Sequence, residues 1–295
     1  MKTRIAALLT CHNRRVATLA SLHRLFAQEL AENVMLTVFL VDDGSSDGTG
    51  AAVASEFPHV RLLCGDGNLY WSGGMRKAFT EALKEQFDYY LWLNDDVLLD
   101  PGAIRHLLAT HRRLAESGND RSIVTGSTRD PETGKLTYGG VERASRFHPF
   151  KFRLVVPAND AQMCATMNGN IVLIPRSVAE VVGNISDAYR HSMGDFDYGL
   201  RARRMGCSIW AAPGYLASCR RNGMGNTWQD VSLPFDKWLQ KTTSVKGLPP
   251  AEYKRFAQAH GGLCWPLFWL MPYLRVFLAR LFARGEQGAH PVKVR

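Results

Sequence analysis

The 295-residue chain has no C-x-x-C pair, no internal repeat, no low-complexity stretch and no unbroken apolar run of membrane-spanning length. Each absence removes a class of protein. Without paired cysteines, neither a zinc ribbon nor a redox dithiol is indicated. The six scattered cysteines, Cys11, Cys64, Cys164, Cys207, Cys219 and Cys264, do not read as a disulfide framework in a chain of this length, and a reducing cytoplasm is the expected compartment. The apolar run behind Lys2 and Arg4 is broken at Cys11-His12-Asn13-Arg14-Arg15, too early for a signal peptide, so residues 5–10 are expected to form a first core strand. Neither a P-loop nor the G-x-G-x-x-G dinucleotide fingerprint is present.

What is present suits a globular protein: 46% hydrophobic and 21% charged residues. The formal net charge is +9, with basic clusters at Arg201-Ala202-Arg203-Arg204, at Arg220-Arg221 and over 275–295. Such a balance fits phosphorylated ligands or an anionic membrane face. No nucleic-acid partner is expected, because the basic residues alternate with acidic motifs and no recognition helix or stacking platform is evident.

Apolar runs at 5–10, 34–41, 60–64, 89–93 and 123–126 alternate with helical spacing at 16–30, 48–57, 73–86 and 102–115. Alternating strands and helices predict a mainly parallel, Rossmann-like α/β sheet flanked by helices, with ligands at the carboxyl ends of the strands. Further on, a hairpin arm is expected over 136–140, a strand over 167–174, and helices over 176–182 and 195–205. Lys246-Gly247-Leu248-Pro249-Pro250 is the best linker. Over 263–282, Trp, Phe, Leu and Met crowd together, but Pro266, Pro272, Arg275 and Arg280 interrupt them. That pattern argues against a bilayer span and for an amphipathic piece, lying on a membrane or packed on the domain or a second subunit.

Four polar constellations sit at strand ends or a helix start. Asn94-Asp95-Asp96 follows an apolar strand, where adjacent carboxylates call for a cation and hard divalent ions take oxygen ligands; the same residues would also cap a helix. Asp42-Asp43-Gly44-Ser45-Ser46-Asp47-Gly48-Thr49 is a good turn and also the place for a base or ribose. Residues 65–77, which include Asn68 and Gly74, combine glycines with a helix start that can face phosphate. Gly194-Asp195-Phe196-Asp197 opens a helix, as a cap or as a general base.

The ordered set T-C-H-N-R-R, V-D-D-G-S-S-D-G-T, G-D-G-N-x-x-x-S-G-G, L-N-D-D-V, M-N-G-N-I-V-L-I-P and G-D-F-D-x-x-L-R-x-R-x-x-G resembles the inverting family 2 glycosyltransferases of the GT-A fold, in their bacterial rhamnosyltransferase-like branch. The match runs over residues 4–215. The resemblance implies a GT-A domain over 1–220 and a C-terminal helical, acceptor-side extension over 221–295. Thr10 and Arg14 match positions near the nucleotide base, and Asp42 or Asp43 the acidic contact to base or ribose. Asn94-Asp95-Asp96 matches the D-x-D element, with Asp96 the direct ligand of Mn2+ or Mg2+ and Asn94 in place of the usual first Asp. Asn168-Gly169 matches the loop beneath donor and acceptor. Asp195 matches the catalytic base; because Gly194 replaces the usual preceding acid, Asp197 stays open as the alternative.

His260 is a candidate third metal ligand, and the 222–228 segment, with Trp228, a candidate acceptor lid. The implied partners are a nucleotide-diphosphate sugar (UDP or dTDP ahead of GDP), a saccharide or lipid-linked acceptor, the inner membrane face and a second copy. The alternatives are a sugar-phosphate nucleotidyltransferase, which would carry a glycine-rich, lysine-containing loop where this chain has Cys11-His12-Asn13-Arg14-Arg15, and a non-catalytic membrane-associated scaffold.

Overall fold

The computed structural model describes residues 2–286, apart from 222, 224, 229 and 231; beyond residue 275 it describes only the Phe277 side chain. The chain forms two compact units. The first comprises Met1–Arg146 with Lys151–Arg221, the second Phe147–Phe150 with Asn222–Arg295.

The first unit opens with β1 (Thr3–Cys11), α1 (Arg15–Phe26), β2 (Val34–Asp42), α2 (Thr49–Glu56), β3 (Arg61–Cys64), α3 (Tyr70–Leu83) and β4 (Tyr89–Leu93). It continues with β5 (Leu98–Leu99), α4 (Ala103–Glu116), β6 (Ser122–Arg129), β7 (Leu136–Tyr138), β8 (Gly140–Arg143) and β9 (Phe152–Leu154). Then come β10 (Gln162–Met163), β11 (Thr166–Met167), β12 (Ile171–Pro175), α5 (Arg176–Val182), α6 (Gly194–Arg204) and β13 (Ser208–Ser218).

The main sheet runs β10-β13-β6-β12-β4-β1-β2-β3, and β8, β9 and β11 form a small second sheet. β3, β2, β1 and β4 pair in parallel; β12 runs antiparallel to both β4 and β6, and β13 is again parallel to β6. Every long strand except β12 therefore points the same way, which is the mainly parallel α/β sheet expected. Its strands are continuous apolar runs because both faces are buried. Along β1 the two-residue period sends Ile5, Ala7, Leu9 and Cys11 into one core layer, with Leu22, Val53 and Leu107. Ala6 and Leu8 enter the other, with Phe79, Trp92 and Tyr198.

Register sets the site. Cys11 lies opposite Asp42, and Asp42 opposite Cys64, so the turns after β1, β2 and β3 leave the same edge. Antiparallel β12 starts at that edge, with Ile171 opposite Leu93. The single strand expected over 167–174 is thus two strands, β11 and β12, separated by a turn at 168–170 beside the end of β4.

The second unit contains α7 (Phe235–Thr243), α8 (Pro250–His260), a 3-10 turn (Gly262–Cys264) and α9 (Trp265–Glu286). The 246–250 stretch, expected as a linker, joins α7 to α8 within this unit. α9 runs through Pro272 instead of breaking there. Proline lacks the N–H that would bond the Phe268 carbonyl four residues back. Tyr253 supplies the missing donor, its hydroxyl lying 3.3 Å from the Phe268 oxygen.

Candidate functional site

The site grows from the carboxyl edge of β1, β2 and β4. Arg14, just ahead of α1, reaches across to the turn after β4: one guanidinium nitrogen lies 2.7 Å from Asp96 and another 3.2 Å from Asp95. Asp95 is buried and accepts a 3.4 Å bond from the Thr18 hydroxyl. Burial pushes its carboxyl up to about 7 against the pull of Arg14. Arg14 in turn holds its proton more firmly than usual: burial works against its charge, but Asp95 and Asp96 outweigh it. Asp96 meets the Cys219 thiol at 3.7 Å, and burial, helped by the negative charge of Asp96, pushes that thiol up to about 12. Cys219 is therefore a neutral donor at this edge.

Asn94 is turned differently. Its side-chain oxygen accepts the Trp71 indole N–H at 2.7 Å, and its backbone N–H donates to the Asn170 carbonyl at 3.0 Å. The Trp71 ring lies so close over Gly169 that a Cβ there would overlap the indole. The Gly169 amide donates to Asp195 at 3.0 Å, and the Phe196 amide bonds the other Asp195 oxygen at 2.8 Å. Asp195 is half-buried in the first turn of α6, where the helix terminus favours an anion. Burial nevertheless pushes its carboxyl up to about 6, while those amides pull it down. A carboxyl with that value is ionised at neutral pH yet basic enough to take a proton.

Asp197 is engaged elsewhere. It is buried, 2.7 Å from Arg201 on the next turn and 3.4 Å from the Tyr189 hydroxyl. Arg201 also donates to the carbonyls of Val182 and Asn184, pinning α6 to the end of α5.

The two acids after β2 separate in role. Asp43 is buried, and both its oxygens are taken by the glycine-rich loop, through the amides of Gly67 at 2.9 Å and Tyr70 at 2.9 Å. Asp42 caps its own turn through Ser45, at 3.0 Å, and is half-buried. Thr10 is buried at the end of β1, its hydroxyl so close to Gly74 that a Cβ there would overlap it. Asn68 is exposed and folds back on Asp66. Asn168 pairs with Gly139 through its own amide at 3.0 Å.

These residues share the first unit. Trp228 and His260 belong to the second. The Trp228 carbonyl accepts the Trp238 indole at 2.7 Å, and His260 packs on Phe256 with ring centroids 4.8 Å apart. Asn222 and Met224 of the expected lid lie outside the described residues.

The 94–96 edge offers part of a donor set for a divalent ion. Asp95 and Asp96 are hard oxygen ligands whose paired charge is met by the Arg14 cation, so the edge suits positive charge. Among the described residues no group of three or more His, Cys, Asp or Glu could enclose a metal, so an ion here would take further oxygens from water or a ligand to complete its shell. Asn94, with its oxygen on Trp71, adds nothing to that set in this arrangement.

The sequence marks neither Trp71 nor Cys219. Trp71 stands in a glycine-rich loop, and nothing local marks its bond to Asn94, 23 residues on. Cys219 looks like one more scattered cysteine.

The model of glycosyl transferase family 2 matches residues 7–178, more than half of the chain, and the chain belongs to that family. It is 26% identical over 202 residues to the N-acetylglucosaminyl-diphospho-decaprenol L-rhamnosyltransferase of Mycobacterium tuberculosis, in both the CDC 1551 / Oshkosh and the H37Rv strain. The match covers 60% of this chain and 64% of those relatives, so the chain spans somewhat less than two thirds of their length. Among solved structures, the mannosyltransferase PcManGT from Pyrobaculum calidifontis, in complex with GDP-Man and Mn2+, superposes with a TM-score of 0.54 at 16% identity, over 99% of this chain and 77% of that one. The likeness shows the fold: the GT-A arrangement expected from the sequence is the one observed. No observation favours nucleotidyl transfer or a non-catalytic scaffold.

Proposed function

We propose that the protein is an inverting glycosyltransferase that moves a sugar from a UDP- or dTDP-sugar, ahead of a GDP-sugar, to a saccharide or lipid-linked acceptor in bacterial surface polysaccharide synthesis. Residues 1–220 bind the donor and carry out transfer, and 221–295 form the acceptor side. The observation that carries the reading is Asp195: a half-buried carboxylate held by the Gly169 amide, at the edge where the 94–96 turn leaves the same sheet. The M. tuberculosis relatives, by name rhamnosyltransferases with a diphospho-decaprenol acceptor, support the lipid-linked choice.

Asp195 takes the proton of the acceptor hydroxyl, and the oxygen attacks the anomeric carbon from the face opposite the diphosphate. The C–O bond to the diphosphate breaks as the new glycosidic bond forms, so the anomeric centre inverts in one displacement. Gly169 and Phe196 aim the carboxylate through their amides. Asp96, with Asp95 behind it, would hold a Mn2+ or Mg2+ ion, which when bound offsets charge on the leaving diphosphate. Arg14 and Thr10 line the nucleotide side, and Asp43 shapes the loop over it. A binding screen of UDP-, dTDP- and GDP-sugars with and without Mn2+, followed by donor hydrolysis, tests this reading. Release of no free nucleotide from any of them would overturn it.

A further inference from the structure

The second unit carries a surface that the transfer site does not use. Leu263 is fully exposed, and Leu267, Leu270, Leu274 and Phe277 are 57%, 42%, 41% and 54% exposed. Their spacing of four, three, four and three residues places them in one stripe along α9 and the 3-10 turn before it. The opposite face of the helix is fixed within the unit. Phe268 is buried against His148 and Phe150, with ring centroids 5.1 and 5.8 Å away. The Trp269 indole donates to the Pro250 carbonyl at 3.1 Å, and the Tyr273 hydroxyl to the Leu248 carbonyl at 2.8 Å. With that face docked, the leucine stripe is held outward.

Basic residues outnumber acidic ones along α8 and α9. From residue 253 to 285 the chain contains no Asp or Glu, but Lys254, Arg255, Arg275, Arg280 and Arg284. Lys254, Arg255 and Arg275 are exposed. No described helix is long and apolar enough to cross a membrane.

We propose that the α9 stripe is a docking surface for an anionic bilayer, on which the helix lies in the plane of the headgroups. Its leucines and Phe277 enter the acyl boundary, and the flanking Lys and Arg pair with lipid phosphates. A second copy fits less well. In a symmetric pair the stripe meets itself, setting the basic α8–α9 surface of one chain against the same basic surface of the other. The surface rests, for its role, on the lipid-linked acceptor reading, since such an acceptor is met at a membrane face.

The test is sedimentation of the full chain with vesicles of phosphatidylcholine alone or of phosphatidylcholine with phosphatidylglycerol. The variants are the triple change Leu267→Ser, Leu270→Ser, Leu274→Ser and the single change Arg275→Glu. Wild type is expected to pellet with the anionic vesicles, and to be released as salt rises from about 0.1 M to about 1 M. The triple variant should bind about tenfold more weakly or worse, and Arg275→Glu, which changes the charge by two, also about tenfold more weakly or worse. Both should release nucleotide in solution, as wild type does, from whichever UDP- or dTDP-sugar the donor screen shows wild type to hydrolyse. Equal binding by the triple variant, or equal pelleting with the two vesicle types, overturns the proposal. A dimer in light scattering that the triple variant dissolves, without vesicle binding, makes a second copy the occupant and overturns it too. Vesicle binding by a wild type that hydrolyses no sugar nucleotide upholds the surface while the functional reading fails.

Discussion

The guanidinium of Arg14 lies 2.7 Å from the carboxylate of Asp96, across the gap between the ends of two parallel strands. It also reaches Asp95, the buried member of the pair, so one cation offsets two adjacent acids. Arg14→Ala is expected to destabilise the fold by about 1–2 kcal/mol at pH 8, a figure reduced because Arg14 is 43% exposed. The folded Asp95 titrates near 7, above its ordinary 3.8, so at pH 5 it carries a proton and needs no partner. Thermal melts of the variant and wild type should therefore differ more at pH 8 than at pH 5; an equal gap at both would refute the coupling.

Asp195 and Asp197 should part company under mutation. Asp195→Asn is expected to abolish transfer with little change in nucleotide binding. Asp197→Asn strands the Arg201 charge in a buried pair and should cost about 3 kcal/mol of stability. Activity retained in Asp195→Asn would move the base elsewhere.

The pH profile follows from the same carboxyl. With Asp195 as the proposed base, turnover should rise with pH through about 6 and level off above it. Stability runs the other way: the folded group binds its proton more tightly than the ordinary 3.8 of the unfolded chain, so its stabilising contribution is full below that value and fades as pH rises toward about 6. Denaturant titrations of Asp195→Asn between pH 4 and 6 should lose that component and keep the one from Asp95. Parallel curves for variant and wild type would contradict the assignment.

Trp71 ties the 94–96 turn to the loop that aims Asp195. Trp71→Phe keeps a ring over Gly169 but removes the N–H held by Asn94; kcat should fall about tenfold with the donor KM near wild type. Gly169→Ala has no room beneath the indole and should fall further. Kinetics in which either change raises only KM would assign Trp71 to binding instead.

The cation role is tested at Asp96. Asp96→Asn should weaken Mn2+-dependent nucleotide binding about tenfold or more, whereas Asn94→Ser, whose wild-type oxygen faces Trp71, should leave it within about threefold. Calorimetry with and without chelator reads both, and equal losses would return Asn94 to the ligand set.

Much of this was legible in the sequence, for definable reasons. Strand 89–93 and helix 176–182 fall where expected because each has a strong local signal, an apolar β-rich run and a periodic run behind a proline. The acidic strand ends were visible because turns and ligands both call on Asp, Gly and Ser. Other features follow from contacts distant in the chain. α3 begins at Tyr70 and not at 73, because the Asp43 carboxylate, 27 residues earlier, accepts the Tyr70 amide. The strand expected over 167–174 breaks at 168–170, where the Gly169 amide turns to Asp195, 26 residues later.

The sequence by itself determined the class of fold, the family and the shortlist of acids, because periodicity, turn chemistry and motif order are written locally along the chain. Only the tertiary structure decided which acid does what. Asp43 is given to the glycine-rich loop, Asp197 to Arg201, Asn94 to Trp71, and Asp95 with Asp96 to Arg14. Those assignments depend on which groups the sheet register brings within hydrogen-bond reach, and side-chain oxygens taken by one partner are not available to another.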